Sequence, residues 1–261
     1  MKKILLIIHI LFLSVAVFAQ DDVYPAKPQT EKITLANATV HVGNGTVIAN
    51  GFVTFENGKI TAVGETAPSA PGKLIDIKGK HVYPGLILSN SQLGLVEVNS
   101  VRATIDHTEI GVLNPSIRSI VAYNTDSRVI NTLKSNGILF ANVVPQGGTI
   151  SGSSTVVQLD AWNWEDATYK ADGQMHMNMP SLFFRPNPFG GFRGNQETRT
   201  AADVIKDGLA QIEEIKSFFR EAAAYHKETA HSKVNLKFEA VKALLEKKQK
   251  LFVHCDVVRE M

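Results

Sequence analysis

The sequence predicts an α/β protein in which a small N-terminal β-sandwich domain precedes the first part of a (β/α) barrel. Three observations lead to this prediction. Short β-branched segments separated by tight turns occupy residues 33–83. A Pro84-Gly85 pair then interrupts an apolar and aromatic run. Beyond that pair, apolar strand patterns alternate with helical patterns, which is typical of a parallel sheet.

The predicted β-domain covers residues 33–83. Its clearest signal is Asn57-Gly58, because a two-residue type I′ hairpin needs positive φ at both central positions. A β-branched, alternating segment at 46–55 and a shorter one at 59–64 flank this turn. Further short strands and turns follow up to residue 83, so a small sandwich or barrel is complete at about that point.

The rest of the chain, residues 84–261, reads as a partial barrel. A buried strand is predicted from residue 86 and another over 138–144, with a helix over 126–135 between them. This order predicts a right-handed crossover between two parallel strands. Two later helices are predicted, one that begins at Thr200 and one over about 236–246.

Two features of this second part leave alternatives open. Residues 162–199 combine Gly, Pro and aromatic residues, which favours a surface insertion, with a lid over a site as the alternative. Residues 251–255 read as a new buried strand, and the sequence has six more residues after Cys255. Since a parallel strand needs neighbours and a returning helix, we expect the barrel to be incomplete and the chain to be a fragment.

The N-terminus has the pattern of a signal peptide over residues 1–19. Lys2 and Lys3 precede an apolar run that ends near Ala19, and this run is shorter than the ~20 residues of a membrane-spanning helix. We therefore favour cleavage over a membrane anchor, with Gln20 as the first mature residue and 20–32 as a linker. The expected location is the periplasm or the extracellular space, without a membrane segment after cleavage.

Composition narrows the range of partners. The net charge of +2 is too small to indicate nucleic-acid binding, and no basic cluster is interleaved with aromatic residues. The single cysteine, Cys255, cannot form an internal disulfide. A small-molecule substrate is the expected partner, and the sequence does not indicate an oligomeric state.

Candidate site residues lie where barrel strands end, because catalytic groups occupy the carboxyl ends of barrel strands. Asn90 and Gln92 are two residues apart, so they share a face of the first barrel strand. A loop rich in Gly and Ser follows the strand at 138–144. Its candidate substrate contacts are Gly147, Gly148, Ser151 and Ser153. This loop is either an anion cradle or a plain loop at the barrel mouth, and it lacks the Lys of a phosphate-binding loop.

Three polar residues, Asp106, His107 and Glu109, follow the first barrel strand. A polar loop is the simpler interpretation of this group, and a substrate contact is the alternative.

Residues 33–92 resemble the amidohydrolase superfamily, in particular its secreted imidazolonepropionase-like members, and the likeness is carried by 55–64 and 75–87. The shared features are the Asn-Gly hairpin and the run that ends in Tyr83-Pro84-Gly85. The resemblance implies a metal-dependent-hydrolase barrel of (β/α)₈ type after a small β-domain. It also implies a zinc or other divalent metal cofactor and hydrolysis of non-peptide C–N bonds, as in cyclic amides.

The sequence departs from this family after the Pro-Gly pair. The family places Asp-x-His-x-His there, and this chain has Leu88, Asn90 and Gln92 at those positions. Amides are weak zinc ligands, so loss of the metal is expected, and a mononuclear site built from other strands is the alternative. The resemblance implies that His254 is a metal ligand of a later strand, and a histidine without a role is the alternative. No catalytic residue is identified.

Two functions follow from this departure. The first is an amidohydrolase-like hydrolase that is not active as this chain alone. The alternative is a non-catalytic exported binding or scaffold protein that keeps the fold without the metal.

Overall fold

The computed structural model describes residues 25–183, 200–228 and 231–258. Their strands form two five-stranded sheets, one before and one after Pro84. The predicted signal peptide over 1–19 lies outside the described residues. The predicted division into a signal peptide, a linker and two domains stays a prediction.

The first sheet has the strand order β3-β2-β1-β4, and β5 also pairs with β1. Its strands are β1 (Ile33–His41), β2 (Val47–Glu56), β3 (Lys59–Gly64), β4 (Lys73–Asp76) and β5 (His81–Val82). The β2–β3 hairpin is confirmed, with φ of 52° at Asn57 and 70° at Gly58. A buried pair of hydroxyls, Thr34 and Thr54, links β1 to β2 at 2.8 Å. Side chains of Ala38, Val40 and Val53 form the core of this sheet.

The second sheet has the strand order β10-β9-β8-β7-β6. Its strands are β6 (Leu86–Ser91), β7 (Ile138–Val143), β8 (Ile150–Gln158), β9 (Thr168–Asn178) and β10 (Lys250–His254). β6 is parallel to β7 and β9 is parallel to β10, whereas β8 is antiparallel to both of its neighbours. The sheet curls into half of a barrel, so the predicted fold class is confirmed.

Five α-helices are found among the described residues. They are α1 (Arg128–Ser135), α2 (Trp164–Ala167), α3 (Ala201–Tyr225), α4 (Leu236–Ala240) and α5 (Lys242–Leu245). α1 connects the parallel strands β6 and β7, as predicted. Thr200 caps α3 in a capping box with Asp203. The predicted helix over 236–246 is two short helices, because Val241 leaves the helical conformation with φ of −92° and ψ of 0°.

The helices cover one face of the second sheet. Ile130 of α1 is buried against Ala141 and Val143 of β7. On α3, Ile215, Phe218 and Ala222 are buried against strands β8 and β9. The polar residues of the alternating strand β9 therefore point to the opposite face, which is the concave side of the half-barrel. Among the described residues, no helix is long and apolar enough to cross a membrane.

The prediction of a surface insertion over 162–199 does not hold for residues 168–178. These residues form β9, an 11-residue strand between β8 and β10. Apolar and polar side chains alternate along it, and Met175 and Met177 are buried against α3. Residues 184–199 lie outside the described part of the chain, so both the surface insertion and its alternative, a lid, stay predictions there.

The two outer strands of the second sheet are not buried, contrary to expectation. Leu86 and Ile87 of β6 are 60% and 63% exposed, and Phe252 and Val253 of β10 are 43% and 47% exposed. The reason is their place in the sheet, since β6 and β10 are its two edges. The apolar runs predicted the strands correctly, but the burial of a strand depends on its neighbours.

Candidate functional site

The carboxyl ends of four strands, β6, β7, β9 and β10, meet at one end of the second sheet. Two of the predicted site segments come together there. His254 lies opposite Asn178 in the β9–β10 register. The Asn178 side-chain amide donates to the Gly148 carbonyl at 2.8 Å and to Ser151 Oγ at 3.2 Å. Asn178 therefore joins the Gly/Ser loop to the strand end that carries His254.

His254 is half-buried and contacts a second histidine that the sequence analysis missed. Its Nε2 lies 2.9 Å from Nδ1 of His176, on the neighbouring strand β9. The ring centroids are 5.1 Å apart. This is close to the largest centroid distance that two imidazole rings can have when their nitrogens are 2.9 Å apart. The two rings therefore meet edge to edge, and their nitrogens share one N–H in a hydrogen bond.

His176 is held from both sides in the interior. It is 2% exposed, and its Nε2 lies 2.8 Å from the hydroxyl of Ser154 on β8. Burial, and then the nearby charge of His254 when that ring is protonated, lowers the pKa of His176 to about 4. His176 is thus neutral near pH 7. An imidazole with so low a pKa is not an efficient general base at that pH. Its hydrogen bond to His254 instead orients the His254 ring.

Further amides line the same concave face. Asn142 of β7 donates to the Ser89 carbonyl of β6 at 3.1 Å and to Oε1 of Gln174 at 2.9 Å. Gln174 alternates with His176 and Asn178 on β9, so the three side chains share one face. The Oδ1 atom of Asn142 is buried and has no hydrogen-bond partner among the described residues. The concave side of the half-barrel is therefore polar.

A buried amide fixes β10 in the sheet from its N-terminal end. Gln249 is 7% exposed, and its Nε2 donates to Ser153 Oγ at 3.0 Å and to the Asp172 carbonyl at 2.8 Å. These two bonds tie the start of β10 to β8 and β9. They also show that Ser153, a predicted substrate contact, bonds within the protein.

The other predicted site residues have distinct environments. Asn90 is exposed at the end of β6, and Gln92 is half-buried just after that strand. Leu88 packs against the apolar cluster under α1, away from the polar end. Ser151 is 2% exposed. The roles predicted for Asn90, Gln92 and the Gly/Ser loop stay predictions.

The glycines of the Gly/Ser loop allow close packing. Gly147 and Gly148 have φ of 84° and 63°, which favour glycine. A Cβ on Gly148 would lie 2.7 Å from the carbonyl oxygen of Val112. The loop therefore packs tightly against the segment that follows β6.

The metal implied by the resemblance does not fit the described residues. Among them, no three or more His, Cys, Asp or Glu side chains are grouped so that they could hold a metal ion. The first-strand positions carry the amides of Asn90 and Gln92. Nε2 of His254 points at His176 and not at an open position. A ligand role of His254 stays a prediction.

The signal that could have found His176 is the period-two alternation along β9. Tyr169, Ala171, Met175 and Met177 alternate with polar residues, and His176 falls in the polar series. Gly173 interrupts the alternation, and the tryptophans before the strand make the whole region resemble an irregular aromatic loop.

Comparisons with known proteins place the fold. No protein-family model and no curated protein matches the chain. The crystal structure of an amidohydrolase from Thermotoga maritima is similar, with a TM-score of 0.69 and 22% identity over 88% of this chain. The chain spans 59% of the length of that structure.

Two other solved structures match smaller parts. Molinate hydrolase is 30% identical over 26% of this chain and 15% of its own, with a TM-score of 0.23. A prolidase complexed with N-methylphosphonate-L-proline is 22% identical over 42% of this chain and 25% of its own, with a TM-score of 0.31. Neither likeness is extensive enough to bear on the fold of the whole chain.

Proposed function

Because this chain has the fold of the amidohydrolase superfamily, we propose that it acts as a hydrolase of non-peptide C–N bonds in small amide-type molecules, such as cyclic amides. The observation that carries the proposal is the convergence of His254 and the Gly/Ser loop at the carboxyl end of the half-barrel. Active sites of α/β barrels lie at this end. The described residues supply no metal site. The proposal therefore names the class of reaction and the place of the site in the fold, and it includes no metal-dependent step.

The residues of this chain have binding and orienting roles in the proposed site. His254 is half-buried at the strand end, where it is placed to contact a bound molecule. His176 acts as a positioning residue, because its bonds to Ser154 and His254 fix the ring of His254. Asn178 holds the Gly/Ser loop against β9 and shapes the mouth of the site.

A panel of five- and six-membered cyclic amides tests this proposal. Ring opening is followed by NMR as the appearance of the product carboxylate. The sequence predicts that this chain alone is inactive. The convergence of His254 and the Gly/Ser loop at the strand ends leads us instead to expect turnover of at least one ring class, with a loss of about tenfold or more in kcat/KM for His254→Ala. His41→Ala, in the first sheet, is the matched control and keeps the rate. Absence of ring opening across the panel, or an unchanged rate in His254→Ala, would contradict the proposal.

The second candidate is a non-catalytic binding protein with the same fold. The amides at Asn90 and Gln92 favour it, since they replace the imidazoles that the resemblance implies. This candidate predicts that cyclic amides raise the melting temperature without being hydrolysed. It also predicts less than one equivalent of bound zinc by elemental analysis of the purified protein.

A double substitution, Asn90→His with Gln92→His, separates metal loss from an unrecognised metal site. If Asn90 and Gln92 replace a metal-binding pair of histidines, the double variant should bind zinc tightly, unlike the unchanged protein. Stoichiometric zinc in the unchanged protein would instead refute metal loss. Asn90→Ala would then be expected to weaken zinc binding.

We also propose that the protein is exported, in accord with the signal-peptide pattern of residues 1–19. Mass spectrometry of the protein from its native cells is the test, and a mature N-terminus at Gln20 is the expected result. A retained N-terminal Met1 in the cytoplasmic fraction would contradict export.

A further inference from the structure

The dipeptide Asn-Gly is chemically labile, because glycine has no side chain to shield its backbone nitrogen from the carboxamide of the preceding asparagine. It occurs four times in this chain, at Asn44-Gly45, Asn50-Gly51, Asn57-Gly58 and Asn136-Gly137. The asparagine is exposed in each pair. Local sequence alone therefore predicts similar reactivity at the four pairs, and the structure distinguishes them.

The reaction of such a pair needs no partner except water. The glycine nitrogen attacks Cγ of the asparagine side chain, and its proton leaves with Nδ2 as ammonia. A succinimide ring remains, and water opens it at either carbonyl to give aspartate or isoaspartate. Two groups therefore control the rate. They are the attacking N–H and the side-chain carbonyl, whose oxygen acquires negative charge during the attack.

At Asn44-Gly45, in the turn between β1 and β2, both groups favour the attack. The Oδ1 atom of Asn44 accepts the Thr46 N–H at 3.0 Å, in an Asx turn that folds the carboxamide towards the chain that follows. This donor stabilises the negative charge that develops on Oδ1. The Gly45 N–H has no hydrogen-bond partner among the described residues, so no acceptor holds its proton.

The turn that carries this pair has a defined shape. The Val42 N–H donates to the Thr46 carbonyl at 3.0 Å and closes the loop. Gly43 packs against the ring of Pro84, since a Cβ on this glycine would lie 3.0 Å from Cγ of Pro84. These contacts keep the Thr46 N–H in place beneath the side chain of Asn44.

A hydrogen bond protects the pair Asn57-Gly58. The Gly58 N–H donates to Oε1 of Gln29 at 2.8 Å, which holds the proton on the attacking nitrogen. Nε2 of Gln29 in turn donates to the Glu31 carbonyl and fixes the amide in this orientation. Loss of the Gln29 side chain therefore exposes the attacking N–H to water.

Secondary structure restrains the other two pairs. At the end of α1, Nδ2 of Asn136 donates to the Thr132 carbonyl at 2.7 Å, and the Gly137 N–H bonds to the last helical turn at 3.0 Å. Asn50-Gly51 lies inside β2, where the glycine is buried and pairs with β1. The attack needs rotation of the asparagine backbone and side chain, and such rotation would break these contacts.

We propose that Asn44 is a site of spontaneous deamidation, at which the folded chain acquires an aspartate or an isoaspartate. The proposal does not depend on the hydrolase function. The product lies in the turn that packs on Pro84, at the connection between the two sheets. Each product adds a negative charge there, and isoaspartate also lengthens the backbone by a methylene group.

Incubation of the full chain at mildly alkaline pH tests this proposal. Samples are digested at acidic pH, and fragment-ion mass spectrometry measures the conversion at each of the four asparagines. A parallel incubation in guanidinium chloride gives the rates of the unfolded chain. We expect similar rates at the four pairs in the unfolded chain. In the folded chain, the rate at Asn44 should exceed the other three by about tenfold or more, since each hydrogen bond alters such a rate about fivefold.

Two substitutions separate the causes. Gln29→Ala releases the Gly58 N–H, so the rate at Asn57 in the folded chain should rise about fivefold. The rate at Asn136 is the matched control and should stay the same. Asn44→Gln lengthens the side chain, so the first acidic species seen on isoelectric focusing of the incubated protein should disappear.

Several results would overturn the proposal. They are the absence of product at Asn44 in the folded chain, equal rates at the four pairs, a faster reaction at another pair, and a ranking that persists in guanidinium chloride. An unchanged rate at Asn57 in Gln29→Ala would contradict the protective role of the hydrogen bond to the attacking nitrogen.

Discussion

His41 with His81 in the first sheet, and His176 with His254 in the second, each place two ring nitrogens 2.9 Å apart. Ring centroids are 5.3 Å apart in the first pair and 5.1 Å in the second, so both pairs meet edge to edge. Each pair joins neighbouring parallel strands, β1 with β5 and β9 with β10.

The surroundings of the two pairs differ. His81 is exposed and His41 half-buried, with its ring face on Tyr83 at a centroid distance of 4.1 Å. His176 is almost fully buried and bonds to Ser154 as well. Water can replace the hydrogen bond of the first pair but not that of the second. The buried histidine pair of the second sheet therefore stabilises the fold, whereas the more exposed pair of the first sheet contributes little.

The largest effect is expected for His176→Ala. It removes a buried ring and leaves the hydroxyl of Ser154 without its partner, so the free energy of unfolding should fall by about 2–4 kcal/mol. Urea unfolding followed by fluorescence measures the change. His81→Ala is the matched control in the exposed pair. Equal losses in the two variants would remove the distinction between the pairs.

The next effect is a pH dependence that belongs to the buried pair. His176 has a folded pKa of about 4 against an unperturbed value of 6.5, so the unfolded chain binds more protons between these values. Its contribution to stability is present above pH 6.5 and is lost as the pH falls towards 4. The loss is on the order of 3 kcal/mol, from about 1.4 kcal/mol per pKa unit.

Urea unfolding at several pH values between 7 and 4.5, a range set by the two pKa values, measures this slope. His176→Gln lacks the titrating ring, so its unfolding free energy should depend less on pH in that window. An identical slope in the variant and the unchanged protein would show that His176 titrates normally.

A smaller loss is expected for His254→Ala. Removal of this half-buried ring leaves a space that water can enter, so the free energy of unfolding should fall by about 1–2 kcal/mol. Since the charge of His254 helps to lower the pKa of His176, the variant should also raise that pKa. NMR titration of the His176 ring protons would detect the shift, and a pKa that stays at about 4 would contradict a contribution from the charge of His254.

The smallest effect is expected for His41→Ala. Its partner His81 is exposed to water, so the unfolding free energy should fall by less than about 1 kcal/mol. The pH dependence of unfolding should stay unchanged. A loss as large as that of His176→Ala would mean that stacking on Tyr83, and not burial, determines the strength of such pairs.

Features with local causes could be predicted from the sequence. Asn57-Gly58 forms the predicted hairpin because the turn conformation depends on those two residues alone. Thr200 begins α3 because its hydroxyl and the Asp203 carboxylate satisfy the first free N–H groups. The crossover from β6 through α1 to β7 was also predicted, because its apolar periodicities are contiguous in the chain.

Features with distant causes could not be predicted in the same way. His176 and His254 are 78 residues apart, and only the order of strands in the sheet makes them neighbours. The exposure of Leu86 and Phe252 likewise follows from edge positions that no local pattern specifies. The sequence predicts His254 as a strand-end residue, but its bond to another imidazole depends on the β9–β10 register.

The bonds of Gln249 have a consequence for the time course of folding. Its side chain reaches Ser153, which is 96 residues earlier, and the Asp172 carbonyl, which is 77 residues earlier. Contacts between such distant residues form slowly, so we expect β10 to dock after β8 and β9 have paired. Since β10 carries His254, we expect the contact between His254 and His176 to form later than the pairing of β8 with β9.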